Sequence, residues 1–90
     1  MTTRRGTGRT SNQIRCAPHG AVFICMPSMV PYVHRLAELL KRRDLVIHTP
    51  EWLTMERWLG LELTGLVVDH AVTMTADGWE SYQNAKTRVR

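Results

Sequence analysis

Three short apolar runs punctuate the chain: Ala21-Val22-Phe23-Ile24-Cys25-Met26, Leu45-Val46-Ile47-His48 and Leu66-Val67-Val68-Asp69. Each is brief and rich in strand-favouring residues, which predicts strands covered on both faces, as in a parallel sheet. Between them the apolar spacing becomes helical. Residues 10–15 predict a short helix that Ala17-Pro18-His19-Gly20 terminates. Over residues 29–43, Met29, Val33, Leu36, Ala37 and Leu40 share one face. Pro31 falls in the first turn of that helix, and Lys41-Arg42-Arg43 closes it where positive charge suits the dipole. Thr49-Pro50-Glu51 reads as a third helix start, with threonine as cap and proline at the first position, turning Trp52, Leu53 and Met55 inward. Residues 61–64, between Gly60 and Gly65, carry no clear signal. A last helix is expected over 75–89, with Trp79, Tyr82, Lys86 and Val89 on one stripe, Lys86 contributing its methylene stem. Alternation of this kind implies parallel pairing through right-handed crossovers. The expected fold is an α/β domain with a short, about three-stranded parallel sheet flanked by helices. It occupies residues 1–90 as a single domain, with 1–5 mobile.

Composition narrows the class. Ninety residues make one small domain of marginal stability, which a partner or self-association would help. A hydrophobic share of 43% argues against disorder. The net charge of +4 favours an acidic partner such as nucleic acid. No apolar run approaches the roughly 20 residues of a membrane span, and the basic start leads into no hydrophobic signal core. A cytoplasmic protein is therefore expected. Cys16 and Cys25 form neither a disulfide framework nor a metal motif and read as free thiols, Cys25 as a small core hydrophobe.

The candidate chemistry begins at Gly6-Thr7-Gly8-Arg9-Thr10-Ser11. Glycines ahead of a helix free successive N–H groups to wrap an anion. Here Gly8-Arg9-Thr10 stands where a phosphate-binding loop has glycine, lysine and a hydroxyl residue. A basic arm that merely contains two glycines is the plain alternative. Four motifs then follow in order: this loop, Met26-Pro27-Ser28, His48-Thr49-Pro50-Glu51 and Val67-Val68-Asp69-His70-Ala71. In succession they resemble the first core domain of the superfamily 2 helicases, a branch of the P-loop NTPases, in shrunken form. The resemblance implies a P-loop-like fold in which Gly6, Gly8, Arg9 and Thr10 bind phosphate. It implies that Thr10 and Asp69 hold the magnesium of a nucleotide, Asp69 through water. Pro27, Ser28, Thr49 and Pro50 would grip a nucleic-acid backbone.

The departures from that pattern point away from catalysis. The five residues before Gly6 leave no room for the strand that normally leads into such a loop, and the sequence leaves open whether another chain supplies it. Arg9 replaces lysine, and arginine is bulkier and forks its donors. His70 stands where the family has the glutamate that orients water, unless Glu51, Glu56 or Glu62 supplies a carboxylate. The second helicase domain, source of the arginine finger, has no counterpart; its loss alone costs roughly 10³–10⁵ in rate. The expectation is a binding protein, not an enzyme.

Asp69 has a plainer reading as a strand-end cap. His70 beside it cannot share its face unless the strand has already ended. His19, His34 and His48 lack metal-ligand spacing. Arg4, Arg5, Arg9 and Arg15 form one basic cluster, Lys41, Arg42 and Arg43 a second, and Lys86, Arg88 and Arg90 a third. If two share a face they give salt-sensitive phosphate binding. Arg4, Arg5, Arg15, Lys41, Arg42 and Arg43 are the candidate contacts to nucleic acid or a partner. Trp58, the least clearly placed tryptophan, is the candidate interface anchor. The chain's style is also similar to small bacteriophage proteins. The rival function is thus a phage anti-defence effector of the anti-CRISPR type, binding a host protein or ribonucleoprotein complex in the bacterial cytoplasm. A homo-oligomer is compatible with either reading.

Overall fold

The first apolar run supplies the centre of the sheet. A computed structural model describes residues 9–89, in the order α1 (Arg9–Cys16), β1 (Val22–Ile24), a 3-10 turn (Pro27–Met29), α2 (Val30–Leu39), β2 (Val46–His48), α3 (Pro50–Thr54), β3 (Leu66–Val68) and α4 (Ala76–Lys86). The three strands run parallel in the order β2-β1-β3, with Val22 opposite both Val46 and Leu66. Every residue of β1 is buried, whereas the flanking strands are partly exposed. An unbroken apolar run is what a central strand with helices on both faces requires.

Alternation along β1 divides the core in two. Phe23 and Cys25 face α1 and α2, packing with Ile14, Val33 and Ala37. Val22 and Ile24 face the other way, toward Trp52, Leu53, Trp58 and Ala85 from the α3 and α4 side. The result is a three-layer α/β/α body whose apolar face on α2 is the expected one. The α4 stripe differs. Gly78 and Ala85 are buried and Tyr82 and Val89 pack against the core, while Trp79 is 40% exposed. Gly78 leads that inward face because its helix meets Met74 there; a Cβ on it would lie 2.9 Å from the Met74 Cβ. A bulky residue would not fit, so Gly78 and Ala85 take the inward places expected of Trp79 and Lys86, while Tyr82 and Val89 keep theirs. The segment 61–64 also finds a place: Leu63 is buried and bridges in parallel to Val89.

The helix ends hold two surprises. α2 stops at Leu39, short of the expected 43, because Lys41 turns left-handed at φ 59°. Arg42 N–H then donates to Ala37 O and Lys41 N–H to Glu38 O, the paired bonds of a Schellman end. α3 ends the same way through Glu56 at φ 54°, with Arg57 N–H donating to Trp52 O and Glu56 N–H to Leu53 O. Thr49 sits at the N-cap of α3, yet its side chain makes no capping bond. Thr75 does cap α4, accepting from Gly78 N–H at 3.2 Å.

Among the described residues no helix is long and apolar enough to cross a membrane.

Candidate functional site

Parallel strands deliver their carboxyl ends to one edge of the sheet, and that edge is where ligands meet open α/β folds. β3 ends at Val68, so Asp69 and His70 already lie in a turn. Asp69 N–H still donates to Ile24 O at 2.9 Å, which fixes the backbone there. Its carboxylate is 2% exposed. Thr10, in the first turn of α1, donates its hydroxyl to Asp69 Oδ1 at 2.8 Å in a buried contact. Ala71 N–H donates to Asp69 Oδ2 at 3.2 Å. The two residues are 59 positions apart in sequence. Their bond sets the start of α1 beside the end of β3.

Gln13, one turn along α1 from Thr10, completes the junction. Its Nε2 donates to Val68 O and its Oε1 accepts from His70 N–H, both at 3.0 Å. Its Oε1 also lies 3.2 Å from His70 Nδ1, which is 3.4 Å from Asp69 Oδ1. Both neighbours of Nδ1 are acceptors, so the neutral ring carries its proton there. Asp69 and His70 do share one face, because the strand has ended. Beneath them, burial pushes the Cys25 thiol up to about 11, with the Asp69 charge adding to the effect. Cys25 is a neutral core residue, and both cysteines are free thiols.

A groove of about 360 Å³ opens at the same edge, where the chain leaves β1 and β2. Pro27, Thr49, Pro50, Glu51, Thr73 and Thr75 are among its lining residues. Three of the four positions expected to grip a backbone therefore come together, and Ser28 lies outside the lining. His48, just before Thr49, stacks on Trp52 at 4.6 Å, and burial lowers its pKa.

Other expected contacts are spent inside the fold. Trp58 is 3% exposed and donates its Nε1–H to Leu53 O at 3.0 Å, so it is core and not an interface anchor. Arg42 is not a free surface cation. Its guanidinium donates to Ile14 O, Arg15 O, Ala17 O and Pro18 O, and pairs with Asp44 at 3.0 Å. It thereby neutralises the carbonyl end of α1. Asp44 also accepts from Gly20 N–H at 2.7 Å. The Arg42 hydrogen bonds, reinforced by the Gly20 bond, hold its carboxyl well below the usual range.

Arg9 and Arg15 are exposed on α1, and Lys41 and Arg43 line a separate cleft with His19, Glu38 and Asp44. Arg42 ties the loop carrying Lys41 and Arg43 to the end of α1 that carries Arg15, so these cations gather at the opposite end of α1 from Thr10. Arg88 lies over the Trp58 ring and Lys86 over Tyr82, each at 5.5 Å. Arg4, Arg5, Gly6, Gly8 and Arg90 lie outside the described residues. Sequence reasoning missed Gln13 and the Arg42 clamp. Gln13 had one signal, its position three residues after Thr10 on the same helix face; Arg42, in a run of cations, had none.

No family model matches the chain, and no curated protein or solved structure matches it.

Proposed function

We propose that this chain is a small, P-loop-like binding protein, inactive in hydrolysis, that takes a phosphate-containing ligand at the N-terminal end of α1. The observation that carries the reading is the buried 2.8 Å bond from the Thr10 hydroxyl to Asp69. It joins the last residue of the glycine motif to the strand-end carboxylate, the pairing a phosphate-and-metal site needs. Free N–H groups at a helix start attract an anion, and Arg9, exposed at the first position of α1, adds a full positive charge. The donor chemistry suits a hard cation, since a hydroxyl and a carboxylate both offer oxygen. Thr10 and Asp69 would hold the magnesium ion of a nucleotide, which would neutralise charge on its phosphates.

Binding without turnover follows from the residue after Asp69. A carboxylate there would order an attacking water, and His70 instead commits Nδ1 to Gln13 and Asp69. A sugar-phosphate backbone as the larger ligand would meet threonine hydroxyl donors in the groove at Pro27, Thr49 and Pro50, and would have to keep its phosphates clear of Glu51, the charged residue of that lining.

Calorimetry with ATP and magnesium tests this. The chain is expected to release heat and to form no ADP. Arg9→Ala removes a charge-assisted contact from an exposed position, and about 1.5–3 kcal/mol of binding should go with it, at least an order of magnitude in Kd. Absence of heat from ATP, pyrophosphate and oligonucleotide alike would overturn the reading.

A further inference from the structure

After the neighbouring strands β1 and β3 the chain turns toward opposite faces of the sheet. β1 leads into α2, whose Val33 and Ala37 pack with Phe23 and Cys25, and β3 leads into α4, whose Ala85 packs with Val22 and Ile24. A crevice opens at such a point, outside the carboxyl ends of the strands. The groove of about 360 Å³ lies there, with Met26 following β1, Glu51 following β2 and Met74 following β3. Its volume is that of a small-molecule pocket. It adjoins the Thr10–Asp69 junction. Asp69 N–H donates to Ile24 O at 2.9 Å, and Met26 is two residues on. Val72 N–H donates to Asp69 O at 3.0 Å, and the next residue, Thr73, lines the groove. Two residues of chain cover at most roughly 7 Å, a gap that the ribose of a nucleotide bridges.

The lining selects what can enter. Glu51 is its charged residue, and among the described residues no cation pairs with it. Arg57 shares the next cleft with Glu51 but forms no ion pair. A phosphate set against that carboxylate is repelled, whereas a group rich in N–H donors is drawn in. The thioethers of Met26 and Met74 suit the flat body of an aromatic ring. We propose that this groove holds the base of the nucleotide whose phosphates meet Arg9, Thr10 and Asp69, and that the base is guanine. The proposal rests on that phosphate site. Guanine carries two adjacent donors, N1–H and N2–H, on its pairing edge, and they match the two oxygens of one carboxylate. Adenine and cytosine each set a single amino group beside an acceptor nitrogen, which a carboxylate repels. Glu51, accepting both bonds, therefore separates guanine from the other bases.

Calorimetry of the full-length chain with magnesium and GTP, ATP or ITP reads the preference. GTP should bind about tenfold or more tighter than ATP. ITP keeps N1–H and lacks the 2-amino group, so it should fall between them. Glu51 is exposed, so Glu51→Gln leaves the fold intact, and the GTP-to-ATP ratio should fall toward one. Equal binding of GTP and ATP, ITP as tight as GTP, or a preference that survives Glu51→Gln would each overturn the proposal. Magnesium pyrophosphate, titrated into the unaltered chain, separates the two sites. If it binds while GTP and ATP are equal, the base site alone fails. If it does not bind, the phosphate site fails and the proposal falls with it.

Discussion

At the scale of single residues, Thr10 and Asp69 hold the start of α1 against the end of β3. Both are nearly inaccessible, and a buried carboxylate that loses a donor keeps its desolvation cost. Thr10→Val keeps the shape and removes the hydroxyl, so stability should fall by about 1.5–3 kcal/mol, read by urea unfolding. Thr10→Ser should restore most of it. The hydroxyl and the carboxylate were both legible in the sequence, as the end of a glycine motif and as a polar stop to an apolar run. Their contact was not legible, because it spans most of the chain and depends on how α1 lies across the sheet. Trp58 shows the opposite failure. Its neighbours Arg57 and Leu59 gave no helical stripe, so its burial comes from the turn after α3 folding back onto α4.

At the scale of elements, the strands could be read closely and the helix ends could not. β-branched runs bounded by proline, glycine and polar residues leave little choice of strand. The end of α2 was hidden because the left-handed position holds Lys41 where glycine would announce it. A non-glycine residue there carries strain of roughly 1 kcal/mol. Lys41→Gly and Glu56→Gly should each therefore stabilise the fold by up to about that amount, raising Tm by a few degrees in a domain this small. The Arg42–Asp44 clamp between α1 and the loop after α2 gives a pH signature. Asp44 is depressed in the folded state, so its contribution is complete above the ordinary carboxylate value of ~3.9. It is lost as pH falls below that value toward its own lower one. In Asp44→Asn the acid limb of the stability curve should flatten, and Arg42→Met should lower Tm at neutral pH.

At the scale of the whole molecule, two ends are distinguished. The carboxyl ends of the strands gather Thr10, Asp69, His70 and the threonine-lined groove, while the far end of α1 gathers Arg15, Lys41 and Arg43 around the Arg42 clamp. The alternation of elements foretold the parallel sheet and its helical layers. It was silent on this polarity, because helical spacing does not say which end of a helix meets which loop. The most direct test is an amide NMR titration with magnesium pyrophosphate. The account predicts the largest shifts at residues 6–10 and at Asp69, His70 and Ala71, with little change elsewhere. Shifts centred on Lys41 and Arg43, with Thr10 and Asp69 unmoved, would contradict it.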